Sequence, residues 1–424
     1  MRASKAFLPL VACGVLLAGA TLGACRPSSS TEGAPDATAS PQASAMPAPL
    51  TSNDTLRTST SASPVTPEGG PPPTPLRGDA PLPPDTLARD VTGYTLSALL
   101  RPGELVGPPR APEVNTAGIE AARKKTELRL GIELGVSRMR LSLLGHGFVL
   151  PPDSELRARS DRYGHVVVWD NGQAYRPIGP GALRALLGER RLDVAPITSA
   201  EVVTKDETGK RIGIRTRKVE VTTRAARSVW EIGRLAELGD GGVLLCRFLL
   251  DLMNAPPGTQ VCGLDEVPMR VELRWTGQGS LGFELTGVLK KNDLSSSGLL
   301  VPPANASFAA SPLEANGVEP MLSAPELAAL RTGPVDVPPP PAGVSEGLSV
   351  QNATDELRLV FVDGVSAAWV APGARALLSG LQRGRYNIQL RTFLGDASQT
   401  TMGQVVPGVI QVGTPADAGT KPIK

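Results

Sequence analysis

The sequence predicts a mainly β protein with an α+β centre: an antiparallel curved sheet with a few helices, followed by a small C-terminal β-sandwich. Apolar and polar residues alternate with a period of two in several segments, which is typical of a sheet with one covered and one solvated face. Turn sequences such as Asn-Gly and Asp-Gly separate these segments. Pro (41) and Gly (46) supply about a fifth of the 424 residues and aromatic residues only 4%, which indicates a long unstructured part beside the globular one.

The charge balance excludes one class of function. The chain has 43 basic and 41 acidic residues, so a protein bound mainly to nucleic acid through a broad positive field is not expected. Two histidines and four cysteines leave little material for a metal site, and we expect neither a metal nor a cofactor. The length suffices for two ordinary domains and connecting chain.

The first 24 residues have the organisation of a secretory signal peptide. Arg2 and Lys5 give a positive start, an apolar stretch covers residues 6–20, and small residues follow. The stretch is too short for a stable membrane span. The ending Leu22-Gly23-Ala24-Cys25 resembles the bacterial lipoprotein signal, which is cut just before the cysteine. The resemblance implies that Cys25 is the acylated residue; a plain secreted protein with a cysteine there by chance is the alternative.

A second cysteine also fits this signal. Leu10-Val11-Ala12-Cys13 matches the same pattern but would leave almost no apolar core before it, which favours Cys25. Arg26 follows Cys25, whereas in enterobacterial lipoproteins an Asp there retains the protein at the inner membrane. By resemblance we expect a protein anchored by its acyl chains in the cell outer membrane, on a face that the sequence does not determine.

Residues 25–112 are predicted to be the acylated cysteine and a disordered tether. From Arg26 to Asp90 there is no Phe, Tyr or Trp, and runs such as 71–73 and 81–84 favour extended polyproline geometry. Such a composition buries too little apolar surface to offset its ordering entropy. A Pro-rich ligand for a partner is the alternative. Within the predicted tether, residues 94–100 are the one part that we expect to be able to pack against a folded surface.

Residues 113–310 are predicted to form the central antiparallel β-rich domain. Alternation is clear at 128–134 and at 269–275, and Asp170-Asn171-Gly172 predicts a tight hairpin turn after the strand 165–169. Residues 204–210 are interpreted as a turn that leads into a strand at 212–221. Two helices are predicted, over 182–190 and 243–253.

The end of this region carries a second resemblance. The order 268–273, a turn, 283–288 and then Leu300-Val301-Pro302-Pro303 resembles the closing strands of curved-sheet lipoprotein families, including the outer-membrane lipoprotein carrier (Lol-type) fold. That fold implies a half-barrel around helices with acyl chains in an apolar hollow. The matching residues show only the apolar–polar alternation common to many strands, so the resemblance implies no ligand-binding residue.

Cys246 and Cys262 remain in the mature domain, with fifteen residues between them. In an oxidising envelope two such thiols favour a disulfide, and two buried reduced thiols are the alternative. A redox-active pair is disfavoured because Cys-x-x-Cys spacing is absent.

A Pro-rich linker over 311–346 is predicted to lead to a C-terminal β-domain over 347–413 and a disordered tail over 414–424. The string of Val362-Asp363-Gly364, Pro372-Gly373 and Leu381 to Ile388 resembles PEGA-type domains of bacterial surface proteins. The resemblance implies a compact β-module without catalytic residues. Phe361, Trp369 and Tyr386 are interpreted as core rather than as a carbohydrate platform.

Candidate chemistry is sparse. The motifs Gly-x-Ser-x-Gly, the P-loop and His-Glu-x-x-His are absent from the sequence. His146 and His165 lack a neighbouring acid cluster and are interpreted as core or edge residues. Asp265-Glu266 superficially resembles a glycosidase carboxylate pair, but adjacent residues point apart, so a solvated turn is favoured.

One basic cluster lies on the predicted helix 182–190. Arg184, Arg190 and Arg191 suit phosphates or lipid headgroups, but Glu189 and Asp193 lie beside them, which favours a surface salt-bridge set.

The sequence therefore favours a lipid-anchored envelope protein, not an enzyme, with a binding or structural role toward an envelope protein or polymer. A lipid- or lipoprotein-binding half-barrel is the first alternative. A hydrolase whose site the sequence hides is the second. No catalytic, metal or ligand-binding residue is assigned.

Overall fold

The computed structural model describes residues 74–75, 78, 80–87, 90–144, 150, 154–179, 199–276, 279–310, 317–340, 343–392 and 397–413. The signal peptide, Cys25, most of the predicted tether, His146, the predicted helix 182–190 with its basic cluster, and the tail lie outside these residues. No helix in the described part of the chain is long and apolar enough to cross a membrane.

The predicted mainly β class is confirmed. Twelve of the described strands form one sheet, antiparallel except at one edge, where β14 pairs with β8 in parallel. In order across the sheet they are β14 (Ser307–Phe308), β8 (Ala174–Ile178), β7 (His165–Trp169), β5 (Glu155–Arg159), β4 (Arg138–Leu144), β3 (Leu128–Gly135), β2 (Asp90–Pro102), β13 (Ser280–Ser295), β12 (Glu266–Trp275), β11 (Ala226–Arg234), β10 (Ile214–Thr223) and β9 (Ala200–Arg211). A short parallel pair, β1 (Thr74–Pro75) and β6 (Arg162–Tyr163), lies apart from this sheet.

The helix α2 (Gly241–Leu252) covers the apolar face of this sheet, close to the predicted range 243–253. At its first turn a Cβ on Gly241 would overlap the Gly135 carbonyl oxygen of β3, and a Cβ on Gly242 the Glu266 carbonyl oxygen of β12. Glycine is needed at both positions because backbone approaches backbone there. Since β2 and β13 lie between β3 and β12, the sheet bends around the helix, as the predicted curved sheet requires.

The sulfur atoms of Cys246 and Cys262 lie at disulfide distance, and their Cα atoms are 6.2 Å apart. The pair joins α2 to the loop before β12, and both residues are buried. Closing a loop of this size stabilises the fold by about 3 kcal/mol.

Two smaller sheets form the C-terminal sandwich. The larger contains, in order, β15 (Val318–Pro320), β18 (Val365–Val370), β17 (Arg358–Val362), β20 (Gly384–Arg391) and β21 (Ala397–Val406). The smaller contains β19 (Arg375–Leu378), β16 (Leu348–Asn352) and β22 (Gly408–Val412). Phe361, Trp369 and Tyr386 are each at most 2% exposed and belong to the core, as interpreted from the sequence.

The prediction of a linker over 311–346 is wrong for its described residues before about 332. β15 extends the larger sandwich sheet, and the short helix α3 (Ala324–Ala328) follows it. Leu327, Leu330 and Arg331 are buried against the sandwich. The prediction fails here because the apolar residues stand among prolines and glycines, and only packing on a distant sheet buries them.

The prediction of a tether that reaches residue 112 is also wrong, because folded structure begins before that residue. Residues 90–102 form β2 in the middle of the large sheet, between β3 and β13, and the chain then crosses to the helix α1 (Thr116–Thr126). Ile119 and Ala122 of α1 pack with the sandwich core, while Phe361 and Trp369 of the sandwich pack with the core of the large sheet. The described residues therefore form one compact unit rather than two domains on a linker.

The sequence indicates one of two turns between strands correctly and misplaces the other. The hairpin between β7 and β8 turns at Asp170 and Asn171, both with φ of +53°, and at Gly172, as the sequence predicted. Residues 204–210, interpreted as a turn, lie within β9, and the turn comes at Ile212-Gly213. Both faces of β9 are exposed, so this edge strand lacks the period-two pattern that marks a half-buried strand.

Candidate functional site

Two concavities meet at the end of β2. One, of about 280 Å³, lies on the solvated face of the large sheet, and the other, of about 420 Å³, lies where that sheet meets the sandwich. Arg101, Pro102 and Gly103 border both. We call the two together the junction groove, with a charged arm (Arg101, Arg270, Glu272, Arg274, Gly282, Glu284) and an apolar arm (Leu100, Leu105, Leu128, Phe361, Arg123, Ser366).

A glycine opens the charged arm. Gly282 pairs with Arg101 of β2 on one side and with Glu272 of β12 on the other. Its neighbours Leu281 and Phe283 face the core, so position 282 faces solvent, and a Cβ there would meet nothing closer than 3.8 Å. The missing side chain leaves a depression between two rows of long charged residues.

Ion pairs extend along this face. Arg101 pairs with Glu284, Arg270 with Glu272, and Arg211 of β9 reaches Glu231 at 2.6 Å. The Arg211 hydrogen bond holds the pKa of Glu231 below its ordinary value, and the same bond raises the pKa of Arg211. Exposed pairs of this kind contribute little stability.

Arg274 differs from these residues. It is exposed, and it makes no ion pair with any residue that the structure describes. The charged arm therefore offers one guanidinium group without an internal carboxylate partner.

The apolar arm has walls from two parts of the fold. Leu128 of β3 and Leu105 of the connecting chain supply its half-buried apolar surface, while Leu100 of β2 and Phe361 of the β17–β18 hairpin form its floor at 1% and 2% exposure. Hydrogen bonds fix the connecting chain between these walls. Val106 N–H donates to Gln389 Oε1 at 3.0 Å, and Asn387 Nδ2 donates to the Gly107 carbonyl at 2.8 Å. Arg123 donates to the Asp363 carbonyl at 3.2 Å. Preformed walls lower the entropy lost when a ligand binds.

Asp265 and Glu266 form no catalytic pair. Asp265 accepts from Gly239 N–H at 2.8 Å, and Glu266 accepts from Arg217 at 2.6 Å and from Gly263 N–H at 2.7 Å. The Gly239 N–H lowers the pKa of Asp265, and Arg217 lowers that of Glu266. Carboxylates held ionised in this way do not serve as general acids near neutral pH.

His165 lies in the core, away from the groove. Its Nε2 is 2.8 Å from Asp251 Oδ2 on α2, and Phe248 meets its ring edge-on at 6.1 Å between centroids. This is a buried pair that ties β7 to the helix. No group of three or more His, Cys, Asp or Glu residues suited to a metal ion occurs in the described ranges.

The sequence patterns do not indicate the groove. The alternation at 269–275 predicts only a solvated strand face for Arg270, Glu272 and Arg274, and Arg101 falls within the predicted tether. The one sequence feature that points to the groove is Gly282, because an isolated glycine inside a strand pattern indicates a bulge or a close approach by another group.

No protein-family model and no curated protein matches this sequence. Among solved structures, PNGF-II in the C2 space group is 9% identical with a TM-score of 0.30, and the match covers 64% of this chain and 42% of that one. PNGF-II in the P21 space group is 12% identical with a TM-score of 0.28, covering 64% and 43%. MucB is 11% identical with a TM-score of 0.22, covering 49% and 55%. The chain thus spans less than half of the PNGF-II chains, and its function is inferred from its own residues.

Proposed function

We propose that the protein is a lipid-anchored lipoprotein of the bacterial outer membrane that binds an envelope protein or polymer, without catalysis, in the junction groove. The groove carries this proposal, because it joins Arg274, which makes no ion pair with the described residues, to an apolar arm whose connecting chain is held by hydrogen bonds. Mixed walls with a few polar groups are typical of binding clefts. The anchor rests on the lipoprotein-type sequence that ends at Cys25.

The carrier alternative requires an apolar hollow inside the curved sheet. Among the described residues, the side chains in that position fill it. Leu96, Ile132, Met139, Trp230 and Phe283 have no measurable exposure, and all belong to one cluster with α2. A close-packed interior leaves no space for an acyl chain, which favours binding on the outer surface.

The hydrolase alternative requires a carboxyl or nucleophile free to react. In the charged arm, Glu272 and Glu284 are each held by an arginine. Guanidinium–carboxylate pairs favour the ionised form, which suits recognition better than proton transfer.

Filling the groove is expected to block binding. A photo-crosslinking residue at Ser280, on the rim of the charged arm, should form an adduct with one envelope component in intact cells. Gly282→Leu should remove this adduct, because a Cβ at position 282 meets nothing closer than 3.8 Å and the leucine side chain would then occupy the depression. We expect binding to weaken at least about tenfold, or about 1.4 kcal/mol.

Gly287→Leu is the matched control. Gly287 lies on the same strand, has similar space for a Cβ and does not border the groove. It should leave the adduct unchanged. An adduct that survives Gly282→Leu, or that both variants abolish equally, would count against the groove as the binding site.

A further inference from the structure

Residues 81–87, which we call the strap, lie on the face of the large sheet opposite α2. Leu82 packs against a small apolar cluster formed by Val166, Val168, Tyr175 and Val301. The Leu82 N–H donates to the Tyr175 hydroxyl at 3.0 Å. Because the strap covers one face of β7 and α2 the other, the whole run 165–168 is buried, which explains its unbroken apolar sequence.

Asp85 is the main polar contact of the strap. Its side chain is 3% exposed, and four groups donate to its carboxylate, one of them the neighbouring Thr86 N–H at 2.9 Å. Arg138 donates to both oxygens, at 2.9 Å to Oδ1. Arg159 donates to Oδ1 at 2.8 Å, and Val301 N–H to Oδ2 at 2.8 Å. Charge-assisted and bidentate bonds of this type are the strong class of hydrogen bond.

Arg138 depends on this carboxylate. Its side chain is 9% exposed and makes no other ion pair among the described residues, whereas Arg159 also binds Asp161 at the surface. A buried guanidinium without a partner is costly. The apolar cluster around Leu82 and the two arginines around Asp85 together fit a segment in which an acidic residue follows an apolar residue by three positions, with prolines between them.

We infer that this face of β5, β7 and β8 is a peptide-binding site for a Leu-Pro-Pro-Asp segment, which the chain fills with its own residues 82–85. The site thereby sets the point at which the membrane tether leaves the folded body, a consequence that rests on the proposed anchor at Cys25. With the strap bound and β1 paired with β6, the chain between Cys25 and the body comprises residues 26–73. Without them it would comprise residues 26–89, up to the start of β2, so its greatest possible span falls from about 220 Å to about 170 Å.

Hydrogen exchange tests the site in the mature chain from residue 26, exported behind an unrelated signal sequence. Asp85→Asn should speed exchange at Leu82 and Val301, which report the two ends of the contact, by about tenfold or more, since it removes charge-assisted bonds. Asp161→Asn is the matched control, because it removes the exposed partner of Arg159 and should leave both amides protected.

The proposal fails if exchange at these amides is the same in Asp85→Asn and the wild type. If Asp85→Asn speeds hydrogen exchange throughout the fold, the same measurement is made on Leu82→Ser. This variant weakens the apolar contact of the strap and keeps the Asp85–Arg138 pair. Faster exchange confined to the strap and Val301 supports the site, and unchanged exchange overturns it. Neither result depends on acylation, so loss of the anchor would not be mistaken for loss of this site.

A peptide of residues 80–87 tests recognition directly. Its affinity should be higher for the Asp85→Asn chain than for the wild type, whose own strap competes at high effective concentration. The same peptide with Asn at position 85 should bind at least about tenfold more weakly, because a charged hydrogen-bond acceptor is lost. Equal binding of the two peptides would overturn carboxylate recognition.

Discussion

Cys25→Ala is expected to release the protein from the membrane fraction. Each buried CH₂ of an acyl chain contributes about 0.8 kcal/mol, so several chains hold a protein on a bilayer almost permanently. Removal of residues 1–24 also removes Arg2 and Lys5 and leaves 41 residues of each sign. The proposed mature chain then has no net charge to attract it to anionic lipid, so we expect its attachment to depend on the acyl chains.

Cell fractionation and mass spectrometry of the N-terminal peptide check this prediction. The wild-type peptide should begin at an acylated Cys25. Cys13→Ala is the control, because Cys13 also follows a Leu-Val-Ala sequence; this variant should remain membrane-bound. Membrane attachment that persists in Cys25→Ala, or that Cys13→Ala abolishes, contradicts the assignment.

Arg331→Met is expected to cost about 3–5 kcal/mol of unfolding free energy at neutral pH, because it leaves a buried charge unpaired. The Arg331 and Asp363 side chains are completely buried and 2.7 Å apart. The Arg331 guanidinium also lies 3.9 Å above the Tyr386 ring and donates to the Arg385 carbonyl at 2.7 Å. One side chain thereby ties the α3 region to the sandwich.

The pH dependence of this effect has a definite sign. Burial raises the pKa of Asp363, while Asn387 N–H and Arg331 oppose the rise. A raised folded pKa means that the folded state holds the proton more tightly, so this group favours folding at low pH and disfavours it as the pH rises through the folded pKa. Without Arg331 the pKa rises further, and the loss of stability should shrink as the pH is lowered towards the ordinary aspartate range.

Urea unfolding followed by tryptophan fluorescence at several pH values measures both effects. The double variant Arg331→Met, Asp363→Asn should recover part of the lost stability and lose the added pH dependence, because no unpaired charge remains. A loss below about 1 kcal/mol, as for an exposed pair, or a loss that is equal at every pH, would contradict this account.

The features that the sequence predicted correctly are those with a local pattern. Alternation at 128–134 and 269–275 marks β3 and β12 because one face of each is covered and the other is solvated. The apolar run 243–253 marks α2, which is buried on nearly all sides. The Asp170-Asn171-Gly172 turn follows from residue types that tolerate positive φ.

The features it missed depend on distant partners. β2 alternates at Leu96, Ala98 and Leu100, but it follows a Pro-rich segment, and its partner β13 lies far away in the chain. Arg331 stands among prolines and glycines, and its buried role requires Asp363 of the sandwich. The junction groove likewise combines the ends of strands with the sandwich hairpin, which no local pattern in the sequence brings together.

We propose a folded body with a close-packed interior that binds its partner on its outer surface. Native mass spectrometry of residues 26–424, exported to the periplasm behind an unrelated signal sequence, tests it most directly. We expect the mass of the polypeptide with one disulfide and no bound lipid, because the side chains inside the curved sheet are close-packed. A bound mass in the range of a phospholipid or a fatty acid would contradict it and would favour the carrier.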